Sequence, residues 1–147
     1  MEQLLESTSF RVFAAVSAVL VIKMVCQAYL VGAIRGKKKR YTNPEDAKLF
    51  KGERGDTDDE TVARISRGHR NSLENEPLFI LLGLLWVLQG ADTQAIQIYS
   101  YTFLGFRVLH GLTYGLKLQP WRTLSYTVAS LCLIGMSVQI LMGAFSH

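Results

Sequence analysis

The 147-residue chain has the length of one domain, is 49% hydrophobic and carries a formal net charge of +4. Its lysines and arginines stand beside long apolar runs, which favours a membrane surface over nucleic acid as the partner. The two cysteines, Cys26 and Cys132, both lie inside apolar runs. A disulfide framework is therefore not expected, and both thiols are predicted to be small buried hydrophobic groups.

The first apolar run, residues 10–34, follows a polar tail over residues 1–9. It is long enough for a membrane-spanning helix, which needs about 20 residues, and too long for the core of a signal peptide. Lys23 interrupts the run, and we expect it to face the interior of a helix bundle, towards a carboxylate or a backbone carbonyl. The basic residues 37–40 predict a positive-inside anchor that meets anionic headgroups.

The polar connection over residues 35–72 contains two signals for the start of a helix. Pro44 is predicted as the first residue of a short helix, with Thr42 or Asn43 as its cap. The acidic residues 56–60 resemble the first turn of a longer helix, whose dipole Asp58 or Asp59 would complement. This second long helix is predicted to begin outside the membrane and to span it over about residues 73–89.

A set of polar side chains lies on one face of this second long helix. They are Arg67, Arg70, Asn71 and Glu74, spaced i, i+3, i+4 and i+7. Charged residues at the mouth of a membrane span are costly there and indicate a functional site. The cluster predicts a pocket for a small ligand that carries several charges.

A third span is predicted over residues 95–116, after a turn that contains Gly90. It places Arg107, His110 and Tyr114 on one face, spaced i, i+3 and i+7. Three polar groups in line on a membrane helix favour a shared pocket or an interhelical network over isolated core residues.

The fourth span is predicted over residues 121–145, directly after Pro120. Its first residues bring Arg122, Thr123 and Tyr126 to the membrane face. Basic residues are concentrated in the first and third connections, which are therefore predicted to be cytoplasmic. The polar residues of all four spans then meet at one depth.

Several arginines without a matching number of carboxylates favour an anionic ligand, whose carboxylates guanidinium groups hold in bidentate pairs. Glu74 beside them suits a ligand ammonium group. The combination is typical of a site for a zwitterionic, peptide-like molecule. If the ligand carries a thiol, Arg122 and Thr123 would stabilise its thiolate. Metal-ligand spacings and phosphate-binding loops are absent from the sequence, so neither a metal nor a nucleotide is predicted.

The chain resembles the MAPEG family, the membrane-associated proteins in eicosanoid and glutathione metabolism, in order over nearly its whole length. The segments that carry the resemblance are VIKM (21–24), NPEDA (43–47), HRNSLEN (69–75), RVLHGLTY (107–114) and RTLSY (122–126). The resemblance implies a single domain over residues 1–147, an all-α integral membrane protein with a four-transmembrane-helix bundle and a homotrimeric assembly. Glutathione would bind between neighbouring protomers, open to the cytosol and the bilayer.

The resemblance also implies roles for individual residues. The positions that match the family's glutathione contacts are Arg35, Arg67, His69, Arg70, Asn71, Glu74, His110, Tyr114, Arg122 and Tyr126. Arg122 matches the arginine that stabilises the thiolate, and Thr123 would donate a hydrogen bond to it where the prostaglandin E synthase branch has serine. Asp46 matches an aspartate implicated in the reaction of that branch.

The activity that the resemblance implies is that of a membrane-bound glutathione transferase with glutathione peroxidase activity, acting on lipophilic electrophiles or lipid peroxides that arrive through the bilayer. Residues 73–75 resemble the transferase branch, whereas residues 69–71 and Tyr126 resemble the synthase branch. A glutathione-dependent prostaglandin E synthase, which isomerises prostaglandin H2, is therefore the alternative. A non-catalytic lipid-binding or scaffold protein is an alternative of another class, disfavoured by the retained charged residues. The expected location is the endoplasmic reticulum membrane in a eukaryote, or the inner membrane in a bacterium, with the active site toward the cytosol.

Overall fold

Four long helices contain most of the residues that the computed structural model describes, residues 2–145. They are α2 (Thr8–Lys38), α4 (Glu60–Leu88), α5 (Thr93–Gly115) and α6 (Trp121–Phe145). The helix α1 (Glu2–Glu6) precedes α2, and the connection from α2 to α4 holds β1 (Arg40–Tyr41), α3 (Pro44–Leu49) and β2 (Glu53–Arg54). The two short strands pair in parallel. The all-α prediction is confirmed.

A side-chain cap marks the start of α4, and a proline marks the start of α3. Asp59 caps α4 by accepting a hydrogen bond from the backbone N–H of Thr61 at 2.9 Å. This hydrogen bond holds the pKa of Asp59 below its usual value, so the carboxylate stays ionised at the helix N-terminus. Asn43 precedes α3, with Pro44 in its first turn. The start of α3 at Pro44 agrees with the prediction, whereas α4 begins at Glu60, the last of the acidic residues 56–60 predicted as its first turn.

The N-terminal segment is helical where the sequence indicated only a polar tail. Ser7 separates α1 from α2, because its hydroxyl donates to the carbonyl of Leu4 at 2.7 Å and accepts from the N–H of Phe10 at 3.2 Å. One side chain therefore closes the first helix and caps the second. Met1, the first residue of the predicted tail, lies outside the described residues.

Aromatic rings from three helices form the centre of the apolar core. The rings of Phe79 and Phe103 stack with their centroids 4.4 Å apart, and the ring of Phe13 lies 6.4 Å from that of Phe79. Gly83 has no Cβ, and the ring of Phe13 occupies the space that a Cβ would need. The stack holds α2, α4 and α5 together one helical turn from Glu76 and Arg107.

Two charged side chains are buried and many large apolar side chains are exposed, which is unusual for a water-soluble protein. Glu76 and Arg107 are both 0% exposed, whereas Ile22 is 62% and Tyr29 is 77% exposed. Among the described residues, α2 and α6 have the length and composition to cross a membrane. An apolar exterior around an interior that holds buried charges beside its apolar core suits a lipid environment or a protein neighbour.

The two cysteines differ in exposure. Cys132 is buried, as predicted, but Cys26 is exposed, and the prediction of a buried Cys26 is wrong. Cys26 shares the outer face of α2 with Ile22 and Tyr29, at spacings of four and three residues. Because this helix is apolar on nearly all sides, its sequence alone does not indicate which face packs against the bundle.

Candidate active site

An open cavity of about 470 Å³ lies at the end of the bundle where α5 ends and α6 begins. Helices α4, α5 and α6 all contribute side chains to it. The lining residues are Arg67, Arg70, Asn71, Glu74, His110, Tyr114, Arg122, Thr123 and Tyr126. All nine belong to the set of site residues that the sequence singles out, and the volume is in the usual range for small-molecule sites.

Helical spacing and one glycine explain how these side chains meet. The four lining residues of α4 are spaced i, i+3, i+4 and i+7, so they form one stripe along the helix. Tyr114 packs beside this stripe against Gly68, where a Cβ would lie 3.3 Å from the tyrosine ring. The missing side chain at Gly68 therefore lets α5 bring Tyr114 close to the arginines of α4.

The positive charge in the cavity exceeds the negative charge. Arg67, Arg70 and Arg122 supply three positive charges and Glu74 one negative charge, which leaves +2. Across residues 2–145, neither Arg67 nor Arg70 forms an ion pair with a carboxylate. By contrast, Arg64 on the same helix pairs with Glu60 at 2.7 Å. A cavity lined by unpaired guanidinium groups attracts an anionic ligand.

His110 is held in one orientation by the start of α6. Its Nδ1 lies 3.1 Å from the carbonyl oxygen of Arg122 and 3.4 Å from the hydroxyl of Ser125. A carbonyl can only accept, so in the neutral imidazole Nδ1 carries the proton and Nε2 is the acceptor. Within the described part of the chain Nε2 has no partner. The ring lies between Tyr114 and Tyr126, at centroid distances of 5.6 and 6.0 Å.

Arg122 is positioned by an aromatic ring of the preceding helix. The central carbon of its guanidinium lies 4.9 Å from the centroid of Tyr114, within the distance of a cation–π interaction. Thr123 follows it in the chain and lines the same cavity. A positive charge and a hydroxyl thus lie side by side, an arrangement that stabilises a developing anion.

One turn deeper, a buried ion network lies beside the cavity. Glu76 Oε1 accepts from Lys23 Nζ at 2.5 Å and from Arg107 Nε at 3.3 Å. Lys23 also donates to the hydroxyl of Ser72 at 3.1 Å. The prediction that Lys23 faces a carboxylate in the bundle interior is confirmed. Arg107 lies in this network and not in the cavity.

The buried network holds one residue of the cavity. Arg107 donates from Nη1 to the side-chain oxygen of Asn71 at 2.9 Å and from Nη2 to its backbone carbonyl at 3.0 Å. Because Arg107 fixes Oδ1 on its own side, the amide nitrogen of Asn71 is the side-chain donor available to a ligand. Sequence reasoning missed Glu76 and Ser72. The available signal for Glu76 was its position, since it is an ionisable residue that stands directly before Pro77 and a long apolar run.

Three of the sequence-predicted site residues lie outside this cavity. Arg35 forms a bidentate pair with Asp58, at 3.1 Å from Nε and 2.9 Å from Nη2. Asp46 lies on α3, where it accepts a hydrogen bond from Asn43 at 3.1 Å. His69 lies on another face of α4 than the cavity stripe, and its Nδ1 has no partner among residues 2–145.

Comparison with known proteins agrees with the resemblance seen in the sequence, which is thereby confirmed. A family model described as the MAPEG family matches residues 13–142. The chain is 39% identical to prostaglandin E synthase of Equus caballus over 136 residues, which cover 92% of this chain and 89% of that protein. It is 35% identical to the Homo sapiens prostaglandin E synthase, covering 97% and 95%. It is 32% identical to microsomal glutathione S-transferase 1 of Homo sapiens, covering 95% and 93%.

Proposed function

The chain belongs to the MAPEG family, and from this premise we propose that it is a membrane-bound glutathione transferase with glutathione peroxidase activity. It conjugates the glutathione thiolate to lipophilic electrophiles. The relatives named above are enzymes of two kinds, a prostaglandin E synthase and a glutathione S-transferase. The observation that carries the proposal is the cavity in which Arg67 and Arg70 have no carboxylate partner among residues 2–145.

Glutathione matches the charges of this cavity group by group. It is a tripeptide with two carboxylates, one ammonium group and one thiol. Arg67 and Arg70 pair with the carboxylates, and Glu74 pairs with the ammonium group. The amide nitrogen of Asn71, held by Arg107, and the Nε2 of His110 add a donor and an acceptor.

Arg122 and Thr123 activate the thiol of the bound ligand. A positive charge and a hydrogen-bond donor next to a thiolate lower the pKa of the thiol, and the thiolate is the nucleophilic form. The thiol proton leaves to solvent through the open cavity. The thiolate sulfur then forms a bond to the electrophilic carbon while the leaving group departs with its electron pair.

A second function, isomerisation of prostaglandin H2 with glutathione in the same site, is favoured by the comparisons. The prostaglandin E synthases reach 39% identity, above the 32% of the transferase. Under this alternative Asp46→Ala abolishes isomerase turnover and spares conjugation of a simple aryl halide. Equal loss of both activities would contradict a separate role for Asp46.

We further propose that α2, α4, α5 and α6 all cross the membrane and that three copies of the chain assemble as a homotrimer. The large exposed side chains of α2, such as Tyr29, support a protein neighbour. Arg35 and Asp46 lie outside the cavity of their own protomer and would meet a neighbour's ligand. Cytosolic orientation follows from the basic residues 37–40, and in a eukaryote the membrane is the endoplasmic reticulum. Chemical cross-linking in native membranes that stopped at the dimer would contradict the trimer.

The experiment that tests the enzymatic proposal is ultraviolet difference spectroscopy of the detergent-purified protein with glutathione. We expect a thiolate band in the wild type and its loss in Arg122→Ala. Arg11→Ala is the matched control, because Arg11 is an exposed arginine on α2 far from the cavity lining. Loss of the band in both variants would point to a general effect of charge removal.

The other outcomes separate the parts of the proposal. Binding of glutathione without a thiolate band would contradict activation by Arg122 and leave the cavity as a binding site. Absence of glutathione binding in calorimetry would contradict the proposed function and favour the lipid-binding scaffold.

A further inference from the structure

Gln119 contacts both residues that we propose to activate the thiol. It lies in the loop that leads into α6, directly before Pro120. One of the two terminal atoms of its side-chain amide lies 3.1 Å from Arg122 Nε and also contacts Arg122 Nη2. The other amide atom is 3.1 Å from the hydroxyl oxygen of Thr123. Gln119 does not line the cavity itself.

The chemistry of these neighbours determines which way the amide points. A guanidinium group only donates hydrogen bonds, so the atom that faces Arg122 must be the amide oxygen. The amide nitrogen then faces Thr123 and donates to its hydroxyl oxygen. In the reverse orientation the amide nitrogen would point its hydrogens at those of Arg122.

This orientation has a consequence for the hydroxyl proton of Thr123. A hydroxyl group has one proton to donate and two lone pairs that accept. Because the Gln119 nitrogen donates to one lone pair, the Thr123 proton is not used in this contact. It is free to point at an anion in the cavity.

We propose that Gln119 is a positioning residue for thiolate formation: its oxygen holds the Arg122 guanidinium against Tyr114, and its nitrogen keeps the Thr123 hydroxyl available as a donor. The inference rests on the proposed function and deepens it. Arg122 is thereby held from two sides, by the face of the Tyr114 ring and by the amide oxygen. A side chain fixed in this way loses little further freedom when the thiolate forms.

Two substitutions of Gln119 separate its two contacts. Gln119→Glu keeps an oxygen toward Arg122 but places an acceptor opposite Thr123, so the hydroxyl donates to the carboxylate and not to the thiolate. Gln119→Leu removes both contacts at similar volume. We expect the pKa of the bound glutathione thiol to rise by about one pH unit in each, a roughly tenfold loss in the thiolate equilibrium.

The measurement is the ultraviolet thiolate absorbance of the glutathione complex as a function of pH, with the glutathione Kd measured by calorimetry. We expect the Kd of Gln119→Leu to change less than the thiolate equilibrium, because the ligand's carboxylates bind to Arg67 and Arg70. Gln94→Leu is the matched control, since Gln94 is an exposed glutamine that lines no part of the cavity. Its thiolate titration should match that of the wild type.

A double-mutant cycle tests the route through Thr123. In a Thr123→Val background, Gln119→Glu should raise the thiol pKa by less than it does in the wild type, because the hydroxyl that it redirects is gone. Wild-type thiol pKa values in both Gln119 variants, with glutathione bound, would overturn the inference and leave the proposed function intact. Absence of a thiolate in the wild type would contradict the proposed function itself.

Discussion

Arginines in two neighbouring regions of the bundle have their charge balanced in different ways. In the buried network, Arg107 pairs with Glu76 and donates its other hydrogen bonds to Asn71 and Ser72, and its side chain is fully buried. In the cavity, Arg67 and Arg70 have no carboxylate partner within residues 2–145 and reach solvent. An arginine that stabilises the fold therefore differs from one that is available to a ligand in having a carboxylate partner within the protein, and not in its residue type.

The largest expected effect comes from removing the carboxylate of the buried network. Glu76→Gln leaves Lys23 and Arg107 buried without a counter-charge, and we expect it to lower the free energy of unfolding by about 3–5 kcal/mol. The measurement is reversible unfolding in mixed micelles. Glu74→Gln is the same change at an exposed carboxylate of the cavity. It should shift the free energy of unfolding by no more than about 0.5 kcal/mol. An equal loss of unfolding free energy in Glu76→Gln and Glu74→Gln would contradict the distinction between the buried network and the cavity.

Substitution of a cavity arginine should weaken ligand binding and leave the stability of the fold nearly unchanged. Arg67→Gln or Arg70→Gln should leave the free energy of unfolding nearly unchanged and raise the glutathione Kd roughly 10- to 100-fold, because a hydrogen bond to a charged group contributes about 1.5–3 kcal/mol. Calorimetric titration measures the Kd. Arg64→Gln is the control on the same helix, since Arg64 pairs with Glu60 and does not line the cavity. A Kd raised as much by the control would contradict a specific role for the cavity arginines.

A conservative change at Arg107 tests whether the two regions are coupled. Arg107→Lys keeps the positive charge but loses the bidentate contact with Asn71. The glutathione Kd should therefore rise several-fold, which corresponds to a loss of about 1 kcal/mol in binding free energy. Asn71→Ala should then have a smaller effect in the Arg107→Lys background than in the wild type. Strictly additive changes in binding free energy would show that Arg107 does not act through Asn71.

The smallest effect is expected at Lys23. Two positive charges and one negative charge give the buried network a net charge of +1, and Lys23→Met makes it neutral while keeping a similar volume. We expect the free energy of unfolding to change by less than about 1 kcal/mol, because the Glu76–Arg107 pair remains. A loss as large as that of Glu76→Gln would show that the network depends on its hydrogen bonds more than on its charge balance.

Local sequence patterns determined the helix ends and the polar helix faces, because both depend on residues that are close together along the chain. The capping residue Asp59 and the turn at Gly90 mark the ends of α4, and α6 begins and ends at the limits of the predicted fourth span. The stripe on α4 follows from helical periodicity, so its four side chains could be assigned to one face without a structure. The site residues on α5 and α6 were found in the same way.

Only the tertiary structure decided which of these residues meet across helices. Glu76 lies 31 residues from Arg107 and 53 from Lys23, and their contact depends on how three helices are rotated about their axes. The pairing of Arg35 with Asp58 and the outward position of Cys26 depend on the same rotations. Periodicity defines faces but not their partners, because helix packing is determined by the whole core, including the stacked rings of Phe79 and Phe103.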